Sequence, residues 1–369
     1  MDGDKEVVLV TGASGFLGQH LVKHLMIDDK VSTIRMLDKV PFHNHLGYIE
    51  SKKIQIFQRN LLDPESCREA VKNAHAVFHC AALVCYEFPP KTEELYKNNL
   101  TATENLIKLC LEEDVERLIY CSTTEVTLQP YFKGGIVAFV IYGQESRLNT
   151  TDEGQLIFGE YAASKLKAEE LVLSFNGTNL KSGQGTLRTV SLRPPLLYGE
   201  RDNGCIAKML DYARNRKNYL PKLAGVGGKQ QTAYVGNIAW ALICAKNTLK
   251  KQPQAIAGLS VIVTDDTPVE DLTRFCERIT RDTKYRVILS RAIPIGVSYL
   301  VAYFVELLVK YIRPSKLPVS PRSMIAYLGS LIIYNRTRAS ISMDYSPIYT
   351  PEKALAIATE YYCNQVPDC

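Results

Sequence analysis

Val7-Val-Leu-Val-Thr-Gly-Ala-Ser-Gly-Phe-Leu-Gly18 decides the fold. The β-branched run Glu6–Val10 reads as a buried strand, and Gln19–Met26 carries helical periodicity. Between them Gly12, Gly15 and Gly18 form G-x-x-G-x-x-G. A glycine turn that follows a strand and opens a helix is the setting in which this spacing is informative. Gly12 permits the tight turn, Gly15 lets the backbone approach a pyrophosphate, and Gly18 lets the helix pack on the strand. The helix N-terminus offers unpaired N–H groups and partial positive charge to the phosphates.

Working outward, Thr33–Leu37, Ile54–Gln58, Ala76–His79, Arg117–Tyr120 and Thr186–Leu192 read as further strands. Leu95–Leu111 and Tyr161–Leu173 read as helices. Strands alternating with helices predict an α/β fold of the Rossmann type, a doubly wound parallel sheet covered on both faces, over roughly residues 5–200. Asp38 ends the second strand. A carboxylate there accepts hydrogen bonds from the adenosine ribose hydroxyls and repels a 2′-phosphate, which favours NAD over NADP. Lys39 is placed to soften that repulsion, and Asn60, after the third strand, to face the adenine.

Tyr161-Ala-Ala-Ser-Lys165 sets a phenol and an ammonium on one helix face. A tyrosine with a pKa near 10 is a poor base at neutral pH. The expectation is that the Lys165 ammonium and a cationic nicotinamide stabilise its phenolate. The phenol then exchanges a proton with an alcohol or carbonyl oxygen while hydride moves at the nicotinamide, whose ribose Lys165 binds. Tyr120-Cys-Ser-Thr-Thr124 ends the fifth strand at the sheet edge where ligands bind, so Ser122, Thr123 or Thr124 can hold the reacting oxygen.

Composition narrows the class. The chain has 369 residues with 44 Lys and Arg against 39 Asp and Glu, a formal net charge of +5. That mild excess excludes a polybasic nucleic-acid binder. An apolar content of 46% excludes an acidic disordered chain. The ten cysteines show no CxxC pair and no zinc-ligand spacing, and no metal is expected. The charged opening Met1-Asp-Gly-Asp suggests no secretory leader, so the cysteines are expected as reduced thiols and the N-x-S/T triplets at Asn149, Asn176 and Asn335 as chance matches. His20 and His24, one turn apart with no third ligand in sequence, are expected on a solvated helix face. No P-loop, nucleophile elbow or Ser-His-Asp order occurs.

Beyond Arg193 the pattern changes. Ala233–Cys244 looks like a strand end running into a helix, Ser260–Thr264 like a strand and Val269–Ile279 like a helix. The expected division is an NAD-binding domain over 1–250, with a substrate-side segment at about 197–232, and a substrate or C-terminal region over 251–369. Ala292–Val309 is an apolar stretch of 18 residues with one charge, Glu306, followed by Lys310, Arg313, Lys316 and Arg322. Its length and basic flank suit a helix that associates with a membrane, spanning it or lying on it; the competing reading is a helix lining the substrate region. Met324–Tyr334 is a second apolar run, too short to span.

These motifs resemble the extended short-chain dehydrogenase/reductase superfamily. Thr11–Gly18 is similar to its TGxxGxxG, Asn99 to its helix asparagine, and Leu192-Arg-Pro-Pro-Leu-Leu-Tyr-Gly199 to its LRPxxxYG segment. Ala233–Trp240 and Thr264-Asp-Asp-Thr-Pro268 look like segments of the 3β-hydroxysteroid dehydrogenase/Δ5-4 isomerase family, and the late apolar segment before Arg313-Pro314 resembles that family's membrane-associating stretch. The resemblance implies Tyr161 as general base, Lys165 as its partner and Thr123 as the hydroxyl donor. It implies cofactor contacts at Gly12, Gly15, Phe16, Leu17, Gly18, Asp38, Asn60, Leu61, Ala81, Asn99, Tyr161, Lys165 and Pro194. The implied reaction is NAD-dependent oxidation of a sterol 3β-hydroxyl to a 3-ketone, with Δ5 to Δ4 isomerisation in the family. The implied setting is the endoplasmic reticulum membrane with the catalytic domain facing the cytosol, as a homodimer. The alternatives are another extended reductase, such as a sterol-4-carboxylate decarboxylating dehydrogenase, and a non-catalytic NAD sensor. The apolar C-terminal region suits a lipid better than a sugar diphosphate. The chain departs from the family in its apolar loop Gln129–Glu160, in Ala102 and Asn60, and in Val261-Ile262, which stands where an aromatic pair serving the isomerase step is expected.

Overall fold

The computed structural model describes residues 5–49, 53–148, 153–312 and 315–364. Met1–Asp4, Asn149 and Arg313-Pro314 lie outside these residues.

The chain opens with β1 (Glu6–Thr11), helix α1 (Phe16–Met26), β2 (Val31–Asp38), β3 (Ile54–Gln58), α2 (Pro64–Val71), β4 (Ala76–His79), α3 (Thr92–Tyr96), a π turn (Lys97–Thr101), α4 (Ala102–Glu112) and β5 (Arg117–Cys121). β6 (Phe139–Gly143) and α5 (Gly159–Ser174) follow, then β7 (Arg188–Arg193), β8 (Leu196–Tyr198), α6 (Cys205–Arg214), β9 (Tyr219–Leu220), β10 (Lys229–Gln230), β11 (Thr232–Tyr234) and α7 (Val235–Lys251). The remainder is β12 (Ser260–Ile262), α8 (Leu272–Thr280), β13 (Ile288–Leu289), α9 (Ile295–Leu307), α10 (Pro321–Gly329), β14 (Leu331–Tyr334), α11 (Thr337–Met343) and α12 (Pro351–Asn364). The main sheet has seven strands in the order β12-β7-β5-β4-β1-β2-β3, every pair parallel. The expected doubly wound sheet is present, and the strand order reverses beside β1, where such sheets bind ligands at their carboxyl edge. Its last strand comes from residues 260–262, beyond the expected domain division at 250.

Continuous apolar strands give the sheet two buried faces. On one, Leu9, Val77 and Leu118 meet α2, α4 and α5; on the other, Val8, Val10, Phe78 and Ile119 meet α1 and α7. His20 and His24 lie on the second face and are buried, not solvated. Tyr234 and Tyr349 pack edge-on against them. The His20 ring also meets the Glu200 carbonyl at 3.0 Å. Below the sheet, Glu6 receives hydrogen bonds from Arg117, Lys246 and Lys250 at 3.0, 2.8 and 2.8 Å.

Two segments differ from expectation. The apolar loop before Tyr161 contains β6, which pairs with β14 nearly 200 residues later in a three-stranded parallel sheet, β10-β14-β6. The run Met324–Tyr334 therefore divides into the end of α10 and strand β14. The long apolar helix starts at Ile295 and continues through a π turn to Ile312, so Ala292 and Pro294 precede it. Its buried residues are Ser298, Ala302, Glu306 and Val309, a narrow stripe. Val297, Leu300, Val301, Phe304, Leu308 and Ile312 face outward. Glu306, the one acid in the segment, is held from inside by Ser320 Oγ, Arg322 N–H and Arg322 Nε at 2.7, 3.0 and 2.6 Å. Arg322 is thus spent on this carboxylate rather than standing in a free basic flank.

Candidate active site

The cofactor end is built by backbone. Gly12 has φ +69°, and a Cβ there would lie 2.7 Å from the Ala81 backbone, so the chain after β4 closes directly on the turn. A Cβ on Gly18 would stand 2.1 Å from the Gly12 carbonyl oxygen. Gly15 meets only the Gly12 oxygen, at 3.1 Å, and leaves the start of α1 open, where Phe16 and Leu17 begin the helix. No side chain caps that helix, so its first N–H groups are available to an anion. Asp38 accepts from the Ser14 N–H at 3.0 Å and the Val40 N–H at 3.2 Å. These bonds fix the carboxylate beside the glycine turn and leave lone pairs for ribose hydroxyls. The arrangement fits NAD.

The flanking positions are less uniform. Lys39 donates to Asn98 Oδ1 at 3.0 Å, turned toward the π turn rather than to the Asp38 carboxylate. Asn60 is exposed and its Oδ1 accepts from the Leu62 N–H at 3.1 Å, while the buried Leu61 offers its carbonyl to Asn105 at 2.9 Å. Pro194 is buried and its carbonyl accepts the Thr124 N–H at 2.9 Å, which ties the turn after β7 to the one after β5.

The other end gathers Thr123, Tyr161 and Lys165. Thr123 follows β5 and its Oγ1 accepts the Glu125 N–H at 3.2 Å, capping a 3-10 turn over Thr124–Thr127. Of the three candidate hydroxyl residues, Ser122 and Thr124 are buried and Thr123 is half-exposed. Lys165 on α5 donates to the Cys121 carbonyl at 2.8 Å and lies 4.3 Å above the Tyr120 ring. The Tyr161 phenol is buried beside this group. Burial pushes that phenol well above its ordinary value, with the Glu125 carboxylate adding to the effect. Burial also lowers Lys165 to about 8. In the protein alone Tyr161 is a protonated phenol, and added positive charge is needed to ionise it.

Asn99 stands behind this group. It sits in the π turn, a helix defect common at functional sites, and its amide is committed to protein partners. Oδ1 accepts the Leu83 N–H at 2.7 Å, and Nδ2 donates to the Leu83 carbonyl at 3.1 Å and to Ser164 Oγ at 3.0 Å. Two further anchors escaped sequence reasoning. Glu169, one turn after Lys165, is buried against Arg193 and Ser191 of β7 and fixes how α5 lies on the sheet. Tyr86 meets Tyr161 edge-on with ring centroids 4.8 Å apart and donates to Glu125. A carboxylate directly after the Ser-Thr-Thr run was a visible signal for Glu125; nothing local marked Tyr86.

Solved structures with the same fold include three epimerases. One from Methanothermobacter thermautotrophicus has TM-score 0.71 and 16% identity, with 98% of this chain and 93% of that chain covered. The UDP-N-acetylglucosamine 4-epimerase of Methanobrevibacter ruminantium M1, in complex with UDP-N-acetylmuramic acid, has TM-score 0.68 and 17% identity over 99% and 100%. The UDP-glucose 4-epimerase of Thermus thermophilus, in complex with NAD, has TM-score 0.66 and 19% identity over 98% and 100%. At these identities the likeness speaks for the fold. The family model described as 3-beta hydroxysteroid dehydrogenase/isomerase matches residues 9–293, well over half of the chain and inclusive of the glycine turn, Asp38, Thr123, Tyr161 and Lys165. The chain therefore belongs to the 3-beta hydroxysteroid dehydrogenase/isomerase family, NAD-dependent enzymes of the extended short-chain dehydrogenase/reductase type.

Proposed function

We propose that the protein is an NAD-dependent dehydrogenase that oxidises the 3β-hydroxyl of a sterol to a 3-ketone. The observation that carries this reading is the grouping of Thr123, Tyr161 and Lys165 at the carboxyl edge of the sheet that also holds the glycine turn and Asp38. NAD supplies the hydride acceptor when bound. Thr123 Oγ1 holds the substrate oxygen, Tyr161 takes its proton, and Lys165 grips the nicotinamide ribose. The lipid nature of the substrate is supported by α9, whose apolar side chains face outward while its acid is tied inside. Such a face suits a membrane surface, and we place the enzyme at the endoplasmic reticulum with its catalytic part in the cytosol.

Isomerisation is not part of the proposal. Asp265 is buried and accepts from the Tyr234 N–H, Asn237 Nδ2 and the Thr267 N–H at 2.8, 3.0 and 3.0 Å. Asp266 pairs with Arg336 at 2.6 Å. Both aspartates are engaged in joining β11, α7 and the segment before α11.

The test is NAD reduction by the detergent-solubilised protein with a 3β-hydroxy-Δ5 sterol, beside Tyr161→Phe. Turnover that the substitution abolishes, with no conjugated enone formed, supports the reading. Tight NAD binding with no turnover of this sterol or of a 4-carboxysterol supports the sensor alternative, and turnover of the 4-carboxysterol alone supports the decarboxylating one.

A further inference from the structure

Helix α8 turns three arginines to one side. Arg274, Arg278 and Arg281, which follows the last turn, recur at i, i+4 and i+7, while Leu272, Phe275, Cys276 and Ile279 on the opposite face are buried in the core. The arginine face borders a cavity of about 560 Å³, which Lys222, Ser290 and Ala292 also line. Four cations thus share its wall with two acids, Glu270 and Glu277.

The pairing within this group leaves donors over. The Lys222 side chain is only 8% exposed, and its ammonium pairs with Asp271 at 3.3 Å. The other Asp271 oxygen is taken by the start of α8, accepting the Thr273 and Arg274 N–H groups at 2.8 and 3.3 Å. An ammonium carries three donors, so one ion pair does not exhaust Lys222. Arg278 pairs with Glu270 at 2.5 Å, and its Nε is buried without a partner. Among the described residues no acid pairs with the Arg274 or Arg281 guanidinium, although Glu277 lies one turn from each.

The wall is clamped to the base of the apolar helix α9. Ser290 Oγ accepts the Lys222 N–H at 2.8 Å and donates to the Arg291 carbonyl at 2.7 Å. The Ile293 N–H donates to the Lys222 carbonyl and the Gly225 N–H to the Ile293 carbonyl, both at 2.9 Å. The exposed apolar side chains Ile293, Val297 and Leu300 follow Ala292 directly, so the outward face of α9 starts at the edge of the cavity.

We propose that this cavity binds the phosphate-bearing headgroup of an anionic lipid. Guanidinium forks match phosphate oxygens two at a time, and a nearly buried ammonium adds a point charge. The volume admits a phosphorylated polyol. Basic clusters beside an interfacial apolar helix attract anionic lipid from the membrane surface. The lipid source rests on the reading of α9 as a membrane face; the affinity for a phosphomonoester rests on the cavity alone. With α9 in the interface, the headgroup gives the protein a second attachment, selective for charge.

The experiment uses the full protein in cosedimentation with three vesicles: phosphatidylcholine alone, and phosphatidylcholine with either phosphatidylinositol phosphate or phosphatidylserine at matched charge. Soluble inositol bisphosphate is titrated calorimetrically in parallel. The variants are Arg274→Gln with Arg281→Gln, two exposed side chains, and Lys222→Met, which removes the cation inside the cavity. The expected result is severalfold stronger binding to the phosphoinositide vesicles than to the phosphatidylserine ones, and measurable binding of the soluble headgroup. Both variants are expected to lose roughly tenfold or more in headgroup affinity, with NAD affinity unchanged. Equal binding to the two anionic vesicles, or a preference that survives the arginine variant, overturns the site. Parent-like headgroup affinity in Lys222→Met overturns the cavity in favour of a basic surface. Binding of the soluble headgroup with no vesicle preference overturns the lipid source and leaves a free phosphoester as the occupant. No binding of the soluble headgroup overturns the proposal whether or not α9 meets lipid. None of these readouts uses the sterol, so their failure leaves the dehydrogenase reading standing.

Discussion

Asn99 Nδ2 donates to Ser164 Oγ across 3.0 Å, which ties the π turn to the helix that carries Tyr161 and Lys165. Ser164 Oγ in turn donates to the Tyr161 carbonyl at 2.8 Å. The same amide holds both backbone groups of Leu83, so one side chain sets the spacing between α5 and the segment leading to Tyr86. Asn99→Ala leaves these groups unpaired, and urea unfolding is expected to show a loss of about 1–3 kcal/mol. Turnover should fall further than NAD affinity does, because the glycine turn is untouched.

Gly15 and Gly18 are expected to separate binding from folding. Gly15→Ala places a methyl in the space a pyrophosphate would occupy, with only the Gly12 oxygen near it. It should weaken NAD binding at least tenfold and leave the thermal midpoint of the cofactor-free protein nearly unchanged. Gly18→Ala drives a methyl to 2.1 Å from a carbonyl oxygen and should lower both. Calorimetric titration with NAD and a thermal melt read the two effects.

The carboxylate of Glu6 and the fully buried ammonium of Lys246 are expected to dominate the acid response. Glu6→Gln leaves Lys246 with Asp28 at 3.5 Å as its acidic partner and should cost about 3–5 kcal/mol in urea unfolding. Burial alone would raise the Glu6 carboxyl, but the bonds from Lys246 and Lys250 and the charge of Arg117 pull it from 4.5 to about 2. Its contribution is present above pH 4.5 and is lost as pH falls toward 2. Burial lowers His24 from 6.5 to about 4, so a second loss, from the unfolded chain binding the proton first, sets in as pH falls from 6.5 to 4. Burial lowers His79 to about 3 and carries the histidine loss further down, so Glu6→Gln should shrink the change between pH 4.5 and 2 and leave the change above it in place.

If the outward face of α9 meets lipid, two acids on it will break the contact. Leu300→Glu with Phe304→Glu is expected to reduce cosedimentation with phosphatidylcholine vesicles severalfold while NAD affinity stays unchanged. Glu306 is the wrong residue for this test, because it faces Ser320 and Arg322 inside the protein.

Local pattern made the nucleotide half of the molecule legible. The β1 turn, Asp38 and the Tyr161–Lys165 pair are short-range signals, and the strands at 54–58 and 76–79 have the expected bounds. What the pattern concealed depends on partners far along the chain. β6 is a strand only because β14 lies beside it, at Leu331↔Phe139. His20 and His24 are buried because α7 and Tyr349 cover them, which their own helix does not reveal. Glu306 looked like a lone charge in an apolar stretch until Arg322 and Ser320 were brought to it. Tyr86 joins Glu125 across 39 positions, and no spacing rule links a loop tyrosine to a strand-end acid.

The partnership of Glu6 with Lys246 also has a direction in time. The two are 240 positions apart, and at roughly 5–20 residues per second a ribosome makes the first strand on the order of 10–50 s before its deepest counter-charge. During that interval Arg117 of β5 is the one counter-charge already made, and the early strands assemble with the acid at the foot of the sheet only partly compensated. Emergence of α7 supplies the other two cations, Lys246 and Lys250, so completion of the nucleotide half awaits a helix translated long after its glycine turn.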